Sequence, residues 1–124
     1  MATVVLDTSV VIALLNENDL HHESAVQATS VKHQYLISAV TLSEALIAAF
    51  RNSSKVGQHY QKLIIDSVDR VIAVDDQVAV LGAKVRAEKK LSLPDALISA
   101  TAQIMKAQLW SCDLALVKAH SGAK

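Results

Sequence analysis

Four short runs of β-branched and aliphatic residues, each followed by a longer helical stretch, limit what this chain can fold into. Runs of this length and composition predict buried strands, and they fall at residues 3–6, 35–37, 70–74 and 109–112. Strands that alternate with helices favour a parallel sheet with helices on both faces. The apolar fraction is 52% while aromatic residues make up only 3%, and an aliphatic core of this kind suits strands that are buried on both faces.

The stretches between the strands have helical character. Their apolar residues recur at helical spacing, and the predicted helices span residues 8–15, 19–31, 38–50, 53–68, 92–107 and 114–120, with a further helix through Val78, Leu81 and Val85 that ends near Lys89 and Lys90. At 124 residues, and with no linker or repeat, the chain has the usual length of a single domain. We therefore predict one α/β domain over residues 1–124, built on a parallel sheet of four to five strands.

Charge and cysteine content limit the cellular compartment and the kinds of partner that the sequence predicts. The formal net charge is zero, so no overall field draws the chain to nucleic acid or to a membrane surface. Cys112 is the single cysteine, which excludes an intrachain disulfide and a zinc site built on paired cysteines. No basic segment precedes the first apolar stretch, and no apolar run reaches the length of about 18 residues that a membrane span needs. We expect a cytoplasmic protein without a signal peptide or a membrane partner.

Four acidic residues stand where a parallel α/β sheet places its ligand site. Asp7 follows the first predicted strand, and Glu44 lies in the first turn of the helix after the second strand. Asp95 begins a late helix behind Pro94, and Asp113 closes the fourth strand. Ligands of such sheets bind beyond the carboxyl ends of the strands, near the point where the strand order reverses. We therefore predict that these four carboxylates converge at one edge of the sheet.

Each acid also has an interpretation that involves no ligand. Asp7 and Asp113 stand at positions typical of helix N-caps. Residues 41–44 and 92–95 have the spacing of a capping box, in which the acid only supports the start of a helix. Taken singly, each acid is more simply a cap, whereas the four positions together favour a shared site.

A cluster of four carboxylates needs a counter-charge. Like charges raise one another's pKa, and a bound divalent cation removes this repulsion. Ligands that are all oxygen favour Mg²⁺ or Mn²⁺ over zinc. Such a cation can activate a water molecule and stabilise the leaving oxygen of a phosphodiester. The acids therefore predict hydrolysis of phosphodiester bonds at this edge of the sheet.

Four segments carry a resemblance to a known family. They are Val-Val-Leu-Asp-Thr-Ser at residues 4–9, Ser43 with Glu44, Leu-Pro-Asp-Ala-Leu-Ile-Ser-Ala-Thr-Ala at residues 93–102, and Leu-Trp-Ser-Cys-Asp at residues 109–113. In order and spacing, over nearly the whole chain, they resemble the PIN domain, and the VapC-type toxins of bacterial toxin–antitoxin pairs in particular. The resemblance implies a three-layer, doubly wound α/β fold.

The resemblance also implies an activity and a set of site residues. It implies a metal-dependent endoribonuclease that leaves a 5′-phosphate, acting as the toxin of a type II pair. The metal ligands of the family, which bind Mg²⁺ or Mn²⁺, fall on Asp7, Glu44, Asp95 and Asp113. Ser9 and Ser111 fall beside them, where they would contact the acids or a phosphate. The implied partners are an RNA substrate, a small antitoxin protein and a second copy of the chain.

The sequence departs from the family pattern in two places. Family members often carry a further acid two residues after the fourth, and this chain has Ala115 there. They usually end in a last strand, whereas this sequence ends in a polar tail at Lys124. The first departure concerns metal coordination near Asp113, and the second concerns an edge of the sheet and dimerisation.

Other interpretations stay open at this point. The same fold could serve RNA maturation, or it could bind RNA or a protein without catalysis. Val11, Leu14 and Leu15 on the first helix could form a dimer or antitoxin groove, or could belong to the core. Two basic groups could be solvated faces, or could hold RNA phosphates if they border the acids; they are Arg51, Lys55 and Lys62, and Arg86, Lys89 and Lys90.

Overall fold

The sheet is parallel throughout and its strands follow the order β3-β2-β1-β4. The computed structural model describes residues 1–121, and in that part of the chain the strands are β1 (Thr3–Leu6), β2 (Gln34–Ser38), β3 (Arg70–Ile72) and β4 (Gln108–Trp110). Seven helices connect or follow them: α1 (Thr8–Leu15), α2 (His22–Thr29), α3 (Ala39–Asn52), α4 (Ser54–Ser67), α5 (Asp76–Glu88), α6 (Leu93–Ile104) and α7 (Leu114–Ser121). The predicted α/β fold class is confirmed.

Alternate side chains of the central strands feed two hydrophobic clusters on opposite faces of the sheet. On one face, Val4 and Leu6 of β1 and Ile37 of β2 pack with residues of α1 and α4. On the other face, Val5 and Leu36 pack with Ile98 and Ala102 of α6, beside Ile72 of β3. Helices therefore cover both faces, as the continuous aliphatic strands require.

The strand order reverses at β1. The chain leaves β1 for β2 and β3 on one side, then returns to place β4 on the other side, where Leu6 pairs with Trp110. Such a reversal opens a crevice at the carboxyl ends of the two neighbouring strands. The residues that follow Leu6 and Trp110 consequently lie at the position where this class of fold binds ligands.

The fourth strand ends earlier than the predicted range of 109–112. It begins at Gln108 and stops at Trp110, because the next residues turn toward β1. The backbone N–H of Cys112 donates to Ser9 Oγ at 3.0 Å, so it is not available to a strand ladder. The third strand also ends early, at Ile72, and α6 stops at Ile104 ahead of Lys106, whose φ is 52°.

The helix that carries Glu44 begins earlier than a capping box at residues 41–44 requires. Its N-cap is Ser38, whose hydroxyl accepts from the backbone N–H of Val40 at 3.0 Å. Thr41 is fully buried in the first turn, so the prediction of a cap there is wrong. Glu44 lies in the second turn of α3 instead of the first. Its place is thus not explained by helix capping.

Two further sequence predictions concern the number of strands in the sheet and the absence of a membrane-spanning segment. Within residues 1–121 the sheet has four strands, and no fifth strand completes it. The tail residues 122–124 lie outside the described residues. None of the helices in the described part has both the length and the hydropathy to span a bilayer.

Candidate acidic site

Asp7 is a buried carboxylate, 3% exposed, at the junction of β1 and α1. It is the N-cap of α1, as predicted, since its Oδ1 accepts from the backbone N–H of Val10 at 3.2 Å. The same oxygen accepts from Ser9 Oγ at 2.6 Å. Its Oδ2 accepts from Ser111 Oγ at 2.5 Å. Three donors therefore fix both oxygens of this carboxylate and stabilise its charge despite burial.

Ser9 and Ser111 join the end of β1 to the end of β4. Their hydroxyl oxygens are 3.4 Å apart, and each also accepts from the backbone of the turn after β4. Ser9 Oγ accepts from the N–H of Cys112 at 3.0 Å, and Ser111 Oγ accepts from the N–H of Asp113 at 2.9 Å. The two serines thus hold the Asp113 segment against Asp7.

Asp113 is exposed and begins the last helix. Its Oδ1 accepts from the N–H of Ala115 at 2.9 Å and from the N–H of Leu116 at 3.4 Å, which is an N-cap, as predicted. The Nδ1 of His120 lies 2.7 Å from the Oγ of Ser99, and burial lowers the pKa of this histidine. This contact ties α7 to α6, so that Asp113 and Asp95 stand on two helices that are joined.

Asp95 connects the four acids electrostatically. It lies in the first turn of α6, where its N–H donates to Ser92 Oγ at 3.3 Å. Burial raises the pKa of its carboxyl above the usual value, and repulsion by Asp113, Asp7 and Glu44 raises it further, against the lowering effect of a hydrogen bond between the carboxylate and the Ser92 side chain. The other three predicted site acids therefore lie within electrostatic reach of Asp95, on the edge of the sheet where the sequence placed them.

Glu44 is held by a residue that the sequence prediction left out. The Oγ1 of Thr8 donates to Glu44 Oε1 at 2.6 Å and lies 3.3 Å from the Oγ1 of Thr41. Thr8 directly follows Asp7 and is the first residue of α1. Its position beside Asp7 in the sequence indicates that Thr8 lies near the site. The structure in addition reveals its contact with Glu44 of α3.

The acids fit a divalent cation by chemistry but do not form a finished coordination sphere. Their donors are all carboxylate oxygens, the type that Mg²⁺ and Mn²⁺ prefer, and the repulsion on Asp95 is the kind that a cation relieves. Within residues 1–121, no group of three or more His, Cys, Asp or Glu side chains is arranged closely enough to hold a metal ion.

Lys62 and Arg86, from the two predicted basic groups, make side-chain contacts within the protein. Lys62 forms an ion pair with Asp66 at 3.0 Å on the exposed face of α4, and Arg86 donates to the backbone oxygen of Leu91 at 2.6 Å. The Leu91 contact anchors the loop just before Ser92, the N-cap of α6. Arg86 thus supports the segment that carries Asp95.

An apolar cavity of about 380 Å³ lies on the face of the sheet that α1 covers. It passes between α1, α2 and α4 and is lined mainly by aliphatic side chains, with Val11, Leu14 and Leu15 among them. Val11 is buried while Leu14 and Leu15 are half-buried. These three residues consequently contribute both to the core and to an open groove.

The family is defined by a comparison that covers almost the entire chain. The family model of the PIN domain matches residues 4–120, which include all four acids and both serines. The chain belongs to the PIN domain family. No curated protein matches the sequence significantly.

Solved structures share the fold at low sequence identity. VapC20 from Mycobacterium tuberculosis, a toxin that cleaves the sarcin-ricin loop, has a TM-score of 0.79 at 21% identity, covering 94% of each chain. FitAcB from Neisseria gonorrhoeae has a TM-score of 0.75 at 20% identity, covering 95% of this chain and 93% of its own. A toxin–antitoxin complex from Klebsiella pneumoniae has a TM-score of 0.73 at 27% identity, covering 89% of this chain and 86% of its own.

Proposed function

We propose that this chain is a metal-dependent endoribonuclease and the toxin of a type II toxin–antitoxin pair. The observation that carries the proposal is the placement of Asp7, Glu44, Asp95 and Asp113 around the carboxyl ends of β1 and β4. Burial raises the pKa of Asp95, and repulsion by the other three acids adds to the rise. A chain that gathers four carboxylates at the reversal point of its sheet loses stability unless a cation is bound there. Membership of the PIN family and the likeness to VapC20 support RNA as the substrate.

In this proposal Asp7, Asp95 and Asp113 hold Mg²⁺ or Mn²⁺, and Glu44 either joins them or orients the attacking water. When bound, the cation would activate water and neutralise charge on the phosphodiester. Ser9 and Ser111 keep both oxygens of Asp7 in place. The Oε2 of Glu44, which is not engaged by Thr8, would accept a proton from water. Asp113 is the most exposed of the four acids.

The proposed protein partner is a small antitoxin whose apolar segment occupies the groove between α1, α2 and α4. A groove lined by aliphatic side chains, and half-open at Leu14 and Leu15, suits an amphipathic helix. Several similar structures are toxin–antitoxin complexes. We also propose a homodimer, for which the exposed Ile47 and Phe50 of α3 are candidate contacts.

The test of the activity is a metal titration beside a cleavage assay. Calorimetry with Mg²⁺ and Mn²⁺ is compared between the native chain and Asp95→Asn, and both are then incubated with RNA in the presence and absence of metal. Binding and cleavage that both vanish in Asp95→Asn support the nuclease. A native chain that binds neither ion overturns the metal site and leaves Asp7 and Asp113 as helix N-caps alone.

A non-catalytic RNA- or protein-binding module is the second candidate. It is favoured by one observation, Ala115 at the position where family members often carry a further acid. This candidate predicts binding of RNA with no cleavage at any metal concentration. A nuclease of RNA maturation, in contrast, predicts cleavage without growth arrest when the chain is expressed in a bacterial host, whereas a toxin arrests growth and its antitoxin relieves the arrest.

A further inference from the structure

The Thr8 side chain forms a contact that the helix it starts does not require. Asp7 already caps α1 by accepting from Val10, so the threonine hydroxyl is not needed for capping. It instead reaches across to α3 and donates to Glu44 Oε1 at 2.6 Å. Among the described residues, Thr8 is the one hydrogen-bond donor to this carboxylate. The contact joins the residue after the first acid to the second acid.

The strength of this contact follows from its length and charge. Hydrogen bonds from a hydroxyl to a carboxylate are shorter and roughly twice as strong as neutral ones. The hydroxyl has a single proton, and its other neighbour, Thr41 Oγ1, lies farther away at 3.3 Å. The proton therefore goes to Glu44. Thr41 is fully buried and lies one turn before Glu44 on α3, so it limits the movement of Thr8.

We propose that Thr8 is a positioning residue that fixes one oxygen of Glu44 and leaves the other, Oε2, directed to the metal or to the attacking water. The inference rests on the proposed function. The glutamate side chain has three rotatable bonds. A hydrogen bond that holds one carboxylate oxygen removes most of this rotational freedom. Partners that orient metal ligands in this way typically change metal affinity or activity by about 10–100-fold when they are lost.

The experiment compares Thr8→Val, which removes the hydroxyl at nearly constant shape, with Thr8→Ser, which keeps it. The first measurement is the affinity for Mn²⁺ by calorimetry, and the second is kcat and KM for metal-dependent RNA cleavage. Thr3→Val is the matched control, because Thr3 is also half-buried and its hydroxyl donates to a side-chain oxygen, Gln34 Oε1, at 3.2 Å. It lies at the start of β1, the opposite edge of the sheet from the acids.

The expected result is a loss of Mn²⁺ affinity of about 10–100-fold in Thr8→Val, with kcat falling more than KM rises. Thr8→Ser should stay close to the native chain, and Thr3→Val should bind Mn²⁺ normally. In a Glu44→Gln background, Thr8→Val should have little further effect, since residues that act as a unit are not additive. Thermal unfolding is recorded for each variant, and Thr8→Ala replaces Thr8→Val if the latter does not fold.

Other results overturn the inference. Native Mn²⁺ affinity and kcat in Thr8→Val, or equal losses in Thr8→Val and Thr8→Ser, would mean that the hydroxyl does not position Glu44. Equal losses in Thr3→Val would mean that the effect is one of general stability. A native chain that binds no metal overturns the proposed function itself, and this result is distinct because it appears before any Thr8 variant is made.

Discussion

The hydroxyl of Ser111 donates a 2.5 Å hydrogen bond to Oδ2 of Asp7, joining residues 104 positions apart in the sequence. Ser9 donates to the other oxygen of the same carboxylate at 2.6 Å. A carboxylate that is almost fully buried is costly unless its charge is balanced by hydrogen bonds. The ends of β1 and β4 are therefore linked through the most buried acid of the candidate site.

Removal of either serine hydroxyl should weaken both the fold and the proposed metal site. A hydrogen bond to a charged group contributes about 1.5–3 kcal/mol, so Ser9→Ala and Ser111→Ala should each lower the free energy of unfolding by about that amount. Mn²⁺ affinity should fall by about 10–100-fold. Urea unfolding and calorimetry provide the two measurements.

Ser30→Ala is the control. The Ser30 hydroxyl is exposed and donates to the backbone oxygen of Gln27 at the end of α2, so its loss should change the free energy of unfolding by about 0.5 kcal/mol or less. Site variants as stable as Ser30→Ala would contradict this account.

The sequence predicts the edge at which the acids meet, and particular residues explain why. Alternation of strands and helices predicts a parallel sheet. Asp7 directly follows a strand and must therefore lie at the carboxyl end of that strand. Asp95 is equally well placed by Ser92 and Pro94, which mark the start of a helix through local chemistry alone. These assignments depend on neighbours in sequence, and sequence patterns report such neighbours well.

Features that depend on distant residues were not predictable. The end of β4 at Trp110 is decided by Ser9, about a hundred positions earlier, because it takes the N–H of Cys112. The capping-box spacing of residues 41–44 likewise fails to report that Thr41 is fully buried and that Glu44 lies in the second turn of α3. The hydrogen bond from Thr8 to Glu44 joins two helices, and no local pattern reports the distance between them.

Asp95→Asn should make the metal-free protein more stable. Burial raises the pKa of Asp95, and repulsion by the other three acids adds to the rise. The folded chain therefore binds this proton more tightly than the unfolded chain, so the free energy of unfolding falls as pH rises through the window above the unfolded value of about 3.9. Removal of the charge should stabilise the metal-free chain at pH 7 by about 1 kcal/mol or less, because solvent screens the repulsion at a half-buried carboxylate. The variant should also lose less stability than the native chain between pH 4 and pH 7, and urea unfolding measures both effects.

Added Mg²⁺ should make the native chain more stable than Asp95→Asn, which is the reverse of the order without metal. The cation relieves the repulsion in the native chain and stabilises it by mass action, whereas Asp95→Asn should respond far less. Asp76→Asn is a matched control, since Asp76 is an exposed acid in the first turn of α5; it should be destabilised by about 0.3–1 kcal/mol through its loss from a helix N-terminus. A metal-free Asp95→Asn protein that is less stable than the native chain would argue against repulsion at this site.

The groove should bind the antitoxin without taking part in cleavage. A charge at Leu14, a half-buried residue of the groove lining, should weaken binding of the proposed antitoxin by at least about 30-fold, because a central apolar contact contributes about 2 kcal/mol or more. RNA cleavage by Leu14→Glu should persist and should resist inhibition by that protein. Ile12→Glu is the control on the same helix, since Ile12 is 41% exposed and outside the groove lining. Equal inhibition of all three proteins would place the partner elsewhere.

Gly57 should improve the packing of α3, the helix of Glu44, against α4 by leaving room for the Phe50 ring. A Cβ added at Gly57 would lie 2.2–2.5 Å from ring atoms of Phe50, so the ring must move. Gly57→Ala gains about 1 kcal/mol of helix propensity, but the displaced ring costs about 1–3 kcal/mol, and we expect a net loss near 1 kcal/mol. In a Phe50→Leu background the same substitution should instead be neutral or stabilising. Urea unfolding of the four proteins of this cycle should give a coupling of about 0.5–3 kcal/mol, and a coupling near zero would mean that Phe50 does not restrict residue 57.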